Sequence, residues 1–314
     1  MKRIERLKLY PTRRQTLRLQ LCLDVCRQLY NVALEQRRSA WRERQLSITY
    51  KVQYQQLTQL RAADRRMAAI FRELQDATLH KLDLAFAAFF RRVRAGQTPG
   101  FPRFRAAARY STLEFPHGNR ALKLSSAQSK VRVPGVGSVR MRGGREVPAF
   151  GRAMIVRNPR GWYVLFECKR ETAPLPPTGR SIGLDVGVAT LYATSDGDFA
   201  PHAALGEKRS AALASAQRRV ARRRRGGSRR RKAVMLLARA HDALRWARRD
   251  WHHKLARKLV QAYDSITLEQ LKVSNMTRSA RGTVENPTQR VRKGHLEPKN
   301  TRRRMASIRK HAAR

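Results

Sequence analysis

The hydrophobic period of this chain changes near residue 100, and this change restricts the folds that the chain can adopt. Before that point, two segments repeat apolar residues every three or four positions, which is typical of helices with one buried face. Between Gly100 and about Arg170, short alternating runs are separated by Gly and Pro, which is typical of strands. Because another strand, Ile4 to Tyr10, precedes the helices, the sequence predicts a β domain, a small barrel or a sheet, with a helical insertion.

The two predicted helices of the insertion each carry an apolar stripe. In the first helix the stripe consists of Leu17, Leu21, Val25 and Leu29. In the second helix it consists of Phe71, Leu74, Thr78, Leu82, Phe86, Phe89 and Val93. Aromatic residues in such a stripe can pack in a core or stack on nucleic-acid bases, and the helical period favours packing.

Changes in composition predict where the domains begin and end. The fold class is an α+β or α/β multidomain protein. Residues 173–180 contain three prolines and are typical of a linker. A β domain is predicted at 1–172, with strands at about 1–12 and 100–172 and the helical insertion at about 13–97. A second domain is predicted at 181–285, with a basic helical insertion at about 205–263. A basic tail at 286–314 completes the sequence.

The chain is strongly basic. Lys and Arg number 69 against 22 Asp and Glu, which gives a formal net charge of +47. So much like charge in a compact body causes self-repulsion that a polyanion would relieve, and the natural partner is a nucleic acid. A ribosomal or chromatin protein would be equally basic, so motifs must separate an enzyme from a packaging protein. Since the sequence shows neither a signal peptide nor an apolar span of about 20 residues, we expect a cytoplasmic protein with no membrane partner.

One short run concentrates the positive charge. Its members surround two glycines and a serine, and they are Arg222, Arg223, Arg224, Arg225, Arg229, Arg230, Arg231 and Lys232. So many like charges on adjacent helix ends repel one another unless a counter-charge is present. We interpret the run as a phosphate-binding surface; a solvated face without a ligand is the alternative.

The three cysteines form no CxxC pair. Cys22 and Cys26 have the spacing of one helical face, and Cys168 stands alone in a predicted strand. This pattern is typical of small buried thiols and not of the usual zinc sites.

Two acidic residues interrupt short apolar strands of the second domain. Asp185 lies between Gly183 and Gly187, and Glu269 follows Leu268 in the strand predicted to begin at Ser265. Carboxylates on neighbouring parallel strands can converge, and hard oxygen ligands suit the Mg²⁺ ions of a two-metal nuclease. A turn position for Asp185 and a solvated strand end for Glu269 are the alternative. An acid inside an apolar strand pays for desolvation unless it is paired or metal-bound, which favours the metal site.

Four ordered motifs resemble those of a known family. They are CRQLYNVALEQRRSAW at 26–41, LDLAFAAFFRRVRAGQTPGFPRFR at 82–105, GLDVGVATLYATSDG at 183–197 and SITLEQLKVSNMTRSA at 265–280. The last two resemble the first two RuvC motifs of the transposon-encoded TnpB proteins, which are relatives of type V CRISPR effectors. The resemblance runs over most of the first 290 residues.

The resemblance implies a fold, an activity and partners. Residues 1–172 would be a β-barrel-like wedge domain with a helical recognition insertion, and residues 181–285 a partial RNase H-like RuvC nuclease domain. Family members bind a guide RNA from the transposon end and cut double-stranded DNA beside a short adjacent motif. By motif match, Asp185 and Glu269 are catalytic residues and ligands of a two-metal Mg²⁺ site.

The chain departs from the family pattern after Glu269. Family members continue into a four-cysteine zinc ribbon and a third catalytic Asp, whereas this sequence has no cysteine after Cys168 and no aspartate after Asp264. We therefore expect a truncated or frameshifted copy with an incomplete metal site and weak or absent cleavage. The alternatives are a nuclease-dead RNA-guided DNA-binding protein or repressor, and a defective transposon remnant.

Overall fold

The computed structural model describes residues 2–143, 146–171, 173–187, 190–201 and 207–269. The chain divides into two compact units, one ending at Ala173 and the other beginning at Pro174. This division falls inside the proline-containing segment. Within the described residues, no helix is long and apolar enough to cross a membrane.

The first unit contains an antiparallel seven-stranded sheet in the order β2-β6-β7-β1-β5-β4-β3. Its strands are β1 (Lys2–Tyr10), β2 (Thr112–Phe115), β3 (Lys123–Leu124), β4 (Lys130–Val133), β5 (Gly137–Met141), β6 (Phe150–Asn158) and β7 (Gly161–Lys169). The first strand pairs with both β7 and β5, so the N-terminus is held at the centre of the sheet. Among the described residues, β2 and β3 each pair with one strand, and the sheet is open between them.

Four α-helices and a short 3-10 helix, Ala107–Arg109, lie between β1 and β2, in the region of the predicted helical insertion. The four α-helices are α1 (Arg13–Arg44), α2 (Tyr50–Ala63), α3 (Arg65–Ala68) and α4 (Arg72–Arg94). A short helix, α5 (Gly118–Ala121), follows β2. The start of α1 is fixed by a capping box, in which Thr12 Oγ1 accepts from the Gln15 N–H and the Gln15 side chain accepts from the Thr12 N–H.

The buried face of α1 differs from the predicted stripe. Val25 and Leu29 are buried, but Leu17 is 59% exposed and Leu21 is only half-buried. The buried face also includes Leu19, Cys22, Leu23, Cys26, Tyr30, Ala33 and Leu34. A strict step of four residues drifts around a helix of 3.6 residues per turn, so it leaves the core within a few turns.

The aromatic stripe of α4 is buried in its first half only. Leu74, Thr78 and Leu82 are buried in the core, as the prediction of a packing face requires. Beyond them Phe86 and Phe89 are half-buried and Val93 is 48% exposed, and the neighbouring Phe90, outside the predicted stripe, is 52% exposed. The second half of α4 therefore presents aromatic side chains outside the main core.

A charged cluster joins α4 to the sheet of the first unit. The carboxylate of Glu114 on β2 accepts from Lys81 on α4 and, at 2.5 Å, from Arg152 on β6. Burial raises the pKa of Glu114, but the hydrogen bonds and charges of Lys81 and Arg152 outweigh it, and the pKa lies below its ordinary value. The ionised form of Glu114 thus links the helical insertion to two strands.

The second unit contains a mixed four-stranded sheet in the order β10-β9-β8-β11. Its strands are β8 (Ser181–Asp185), β9 (Tyr192–Thr194), β10 (Phe199–Ala200) and β11 (Ser265–Leu268). The first three form an antiparallel meander, and β11 pairs with β8 in parallel. A turn at Ser195 to Asp198 connects β9 to β10, with Gly197 at a φ of +88°.

Two helices fill the connection from β10 to β11. They are α6 (Glu207–Ala221) and the long α7 (Ser228–Ala262), and they pack against each other. Residues 222–227 form the turn between them. A parallel pair of strands requires such a crossover connection, and here a helical pair provides it.

Candidate functional site

Asp185 and Glu269 extend from neighbouring parallel strands. The register pairs Thr267 with Gly183 and Leu268 with Leu184, so the next residues along the two strands are Glu269 and Asp185. Side chains that share a register position in a parallel pair lie on the same face of the sheet. The predicted convergence of these two acids therefore has the strand arrangement that it requires.

The carboxylate of Asp264 fixes the start of β11. Both of its oxygens accept from the Thr178 N–H at 2.9 Å, Oδ1 also accepts from the Thr178 hydroxyl, and Oδ2 accepts from the Gly179 N–H at 2.7 Å. The Asp264 N–H donates to the Arg180 carbonyl at 2.8 Å. These bonds hold the pKa of Asp264 below its ordinary value and join the residues before β11 to those before β8.

A second polar cluster holds the hairpin turn at the same end of the sheet. The Tyr263 hydroxyl donates to Asp196 Oδ2 at 3.1 Å, and the Arg180 guanidinium lies 4.6 Å from the centre of the Tyr263 ring. Arg180 also lies 3.8 Å from the Asp196 carboxylate. Four residues that the sequence analysis did not assign to the site, Arg180, Asp196, Tyr263 and Asp264, thus fix the strands that carry the two acids.

The desolvation argument made for Asp185 from the sequence is wrong. Ile182 and Leu184 are buried on one face of β8, but Asp185 is exposed, and so is Glu269. The strand ends at Asp185, and Val186 beyond it is 41% exposed. An exposed carboxylate has no burial penalty to relieve, and a shared function of the two acids rests on the pairing of the strands.

The two glycines beside Asp185 face the protein itself. A side chain at Gly183 would meet Ser195 at an ordinary contact distance, and Ser195 Oγ accepts from the Gly183 N–H at 3.1 Å. At Gly187 a Cβ would lie 3.2 Å from the Thr190 carbonyl oxygen, which is a tight contact. Glycine at position 187 therefore avoids a steric clash within the local chain. This explanation of the glycine does not require a phosphate to approach the backbone.

The acid pair has the ligand type that suits Mg²⁺. Carboxylate oxygens are hard ligands, and both groups are exposed and therefore accessible to a hydrated cation. Among the described residues no group of three or more His, Cys, Asp and Glu could hold a metal ion, so Asp185 and Glu269 would supply only part of a coordination shell. Glu285 and Glu297, the acids that follow in the sequence, lie outside the described residues.

The basic run lies on the turn between α6 and α7. Arg222, Arg223, Arg224, Arg225, Arg229, Arg231 and Lys232 are exposed. Arg230 is half-buried, and its Nη1 donates to the carbonyls of Val220 at 2.6 Å and Arg223 at 2.9 Å. Arg230 thus caps the end of α6 and shapes the turn that presents its basic neighbours.

The cysteines are buried thiols, as predicted. Cys22, Cys26 and Cys168 are free and buried, and burial raises the pKa of Cys22 to about 11 and that of Cys26 to about 12. Neutral thiols of this kind are packing residues and poor metal ligands.

Two family models match the chain. The OrfB_IS605 family, described as "Probable transposase", matches residues 164–280, and a "Helix-turn-helix domain" of the same family matches residues 1–45. The first match contains β8, β11 and both acids. Within the second, the structure shows strand β1 and the single long helix α1, and not two helices joined by a turn.

Two curated proteins are similar to the chain. "Putative RNA-guided DNA endonuclease InsQ" of Escherichia coli (strain K12) is 31% identical over 217 residues, which is 68% of this chain and 52% of that protein. "Putative RNA-guided DNA endonuclease" of Streptomyces pristinaespiralis is 29% identical over 291 residues, which is 90% of this chain and 70% of that protein. The chain thus spans about half the length of the first relative.

Two solved structures share a low similarity with the chain. "Cryo-EM structure of the Cas12f1-sgRNA-target DNA complex" has a TM-score of 0.34 and 10% identity, over 87% of this chain and 74% of that chain. "Cryo-EM structure of CRISPR-Cas12f Ternary Complex" has a TM-score of 0.37 and 11% identity, over 93% of this chain and 69% of that chain. These scores are too low to decide fold or function.

One unit with a mixed sheet and another with an antiparallel sheet that carries a helical insertion make this an α+β multidomain protein. The family-model matches and the two relatives confirm the resemblance seen in the motifs. The chain belongs to the TnpB family of transposon-encoded proteins.

Proposed function

We propose that this protein is an RNA-guided DNA endonuclease of the TnpB type, with a guide RNA from the transposon end and double-stranded DNA as its partners. The observation that carries the proposal is the parallel register of β8 and β11, in which Asp185 and Glu269 follow the paired residues Leu184 and Leu268. The family match over residues 164–280 and the names of the two relatives support the same activity.

The chemistry assigns a distinct task to each part of the second unit. Asp185 and Glu269 would hold divalent cations, and a bound Mg²⁺ supplies Lewis acidity toward a phosphodiester. The exposed arginines of the turn between α6 and α7 would hold phosphates and position the nucleic acid. Asp264 would keep the two acids in register without contacting the reacting atoms.

The described residues provide two carboxylates where the family uses three, and we propose that cleavage by this chain of 314 residues is weak. Loss of support around a metal site costs about 10-fold to 100-fold in activity or affinity, and loss of a direct ligand should cost more. A guide-dependent DNA-binding protein is therefore the second candidate function, and it is favoured because the described residues provide only part of a coordination shell.

A plasmid assay separates the two candidates. The full chain is purified with its co-purifying RNA, which is sequenced to define the target, and is then incubated with target plasmid and Mg²⁺. Cleavage that Asp185→Ala abolishes and Asp198→Ala preserves supports the endonuclease, since Asp198 is an exposed acid of the β9–β10 turn. Guide-dependent binding without cleavage supports the binding protein, and RNA of random sequence contradicts both.

A further inference from the structure

The first unit contains an open groove lined by aromatic side chains. The groove has a volume of about 690 Å³ and lies among the end of α1, the loop at residues 45–49, the start of α2 and the second half of α4. Its aromatic members are Trp41, Tyr50, Phe86, Phe89, Phe90 and Phe101. A volume of this size is within the range of about 300 to 1,000 Å³ that small ligands occupy. We call this feature the aromatic groove.

The rings of the groove support one another and leave faces exposed. Phe101 meets the rings of Phe86 and Phe89 edge-on, with ring centres 5.6 Å and 5.3 Å apart. Phe90, next to Phe89, is 52% exposed, and Trp41 is 57% exposed. Phe90 packs on the rings of Phe86 and Phe89, with ring centres 6.4 Å and 5.2 Å apart, but it still exposes a face, as Trp41 does. The packing of the neighbouring rings does not explain these exposed faces, because an aromatic face in water gains nothing from the core.

A buried arginine at the groove has one hydrogen-bond donor to spare. The side chain of Arg37 is 8% exposed; its Nη1 donates to Asp83 Oδ1 at 3.0 Å and its Nε to Gln53 Oε1 at 2.9 Å. Its Nη2 is buried and has no partner among the described residues. Because Asp83 already balances the charge, the spare N–H suits a neutral acceptor such as the carbonyl of a nucleobase.

Two hydroxyl groups of the groove are also free to bind a ligand. Thr49 stands at the N-cap of α2 but makes no side-chain cap hydrogen bond, and Ser47 lies two residues before it. Both residues are exposed and line the groove. Hydroxyl groups beside a base-stacking surface match the 2′-OH that distinguishes RNA from DNA.

We propose that the aromatic groove binds one unpaired nucleotide of single-stranded RNA. The base stacks on Phe90 and Trp41, a base carbonyl accepts from Arg37, and the ribose lies near Thr49. Electrostatic attraction supports this occupant, since the whole chain carries a net charge of +47 and RNA is a polyanion. The proposal extends the proposed function, in which RNA is a partner, but it does not depend on the acid pair of the second unit.

The test measures binding of labelled oligouridine of about 12 nucleotides, within the usual footprint of single-strand binders, by fluorescence anisotropy with the full chain. Phe90→Ala and Trp41→Ala should each weaken binding by about 5-fold to 150-fold, as expected for loss of one stacking contact. Leu84→Ala is the matched control, because Leu84 is 55% exposed on the same helix and lies outside the groove. The Leu84→Ala variant should bind oligouridine with the affinity of the wild type.

The salt dependence of binding provides a second readout. Stacking releases no counterions, so Phe90→Ala should lower affinity at every salt concentration without changing the slope of log K against log [salt]. Unchanged affinity in both aromatic variants overturns the proposal. A reduced slope in Phe90→Ala overturns it as well, because the loss would then be electrostatic.

Two comparisons test the identity of the occupant. Oligothymidine of the same length should bind more weakly than oligouridine. The Thr49→Val variant should reduce this difference in affinity. Equal binding of the two polymers by the wild type overturns the assignment to RNA. If Phe90→Ala instead changes the sedimentation of the protein and leaves RNA binding intact, the groove is a protein interface. Oligouridine binding needs neither Mg²⁺ nor a DNA target, so failure of the nuclease proposal and failure of this one are distinguishable.

Discussion

The side chains of Asp185 and Glu269 each follow a leucine, Leu184 and Leu268, in paired strands. The register therefore decides whether the acids meet, and a shift by one residue would send the side chain of Glu269 to the other face of the sheet. The alternation of apolar and polar residues was visible in the sequence. The partner of each strand was not, because strand pairing depends on contacts between distant segments.

Removal of either acid should weaken cation binding to the same extent. We expect Asp185→Asn and Glu269→Gln each to lower the affinity for Mn²⁺, used as a paramagnetic substitute for Mg²⁺, by at least about 10-fold, because each variant loses a direct ligand. The measurement is titration followed by electron paramagnetic resonance. Asp198→Asn serves as the control, and an unchanged affinity in Glu269→Gln contradicts a shared site.

Asp264 should make the stability of the second unit depend on pH. Its folded pKa is lowered by the Thr178 and Gly179 donors, so its contribution is present above the unfolded pKa of about 3.9 and is lost as the pH falls through the folded value. Asp264→Asn should therefore melt at a lower temperature than the wild type at pH 7 and converge with it in acid. A difference that stays constant with pH contradicts this explanation.

The turn between α6 and α7 is an element whose form and charge depend on different arginines. Arg230 binds two carbonyls at the end of α6, whereas Arg222 to Arg225 are exposed. The sequence showed only a run of like charges. It did not distinguish the arginine that shapes the turn from those available to phosphate, since that difference depends on the packing of two helices.

Replacement of the exposed arginines should change the salt dependence of nucleic-acid binding. Each phosphate contact contributes about 0.9 to the slope of log K against log [salt] on duplex DNA. We expect Arg222→Gln, Arg223→Gln, Arg224→Gln and Arg225→Gln combined to reduce the slope by up to about 3 to 4 in filter-binding titrations. An unchanged slope would remove this turn from the interface.

The link between α4 and its sheet should contribute measurably to stability. Glu114→Gln removes the charge that Lys81 and Arg152 share, and we expect a loss of about 1 to 2 kcal/mol in the free energy of unfolding. Urea denaturation measures this change in the free energy of unfolding. Glu35→Gln is the control, since the half-exposed Glu35 lies 3.9 Å from Arg38 and Arg42 and its replacement should change stability little.

The elements with a clear period were predictable, and those with an interrupted pattern were not. The alternating run at Lys130 to Val133 forms β4, and the second predicted helix, whose apolar stripe runs from Phe71 to Val93, is α4 (Arg72–Arg94). In contrast, β6 was not identified, because Gly151 and Arg152 break its alternation and a register shift lies between Phe150 and Ala153. Neighbouring strands impose that shift, which no local pattern reveals.

At the scale of the whole molecule, the excess of positive charge should oppose folding in the absence of a polyanion. Exposed basic side chains repel one another over distances set by the ionic strength. We expect addition of heparin or RNA to raise the melting temperature, more at low salt than at high salt, as differential scanning fluorimetry would measure. A shift that is independent of salt contradicts an electrostatic origin.

The pairing of β11 with β8 also bears on the order in which the molecule assembles. About 80 residues, mostly the helical crossover, separate the two strands, so their ladder is a contact of long sequence separation and should form late in folding. Until then the acids remain apart, and a chain still emerging from the ribosome has no composite binding centre for cations. Catalytic competence would thus be acquired only when the polypeptide has been made at least as far as Glu269.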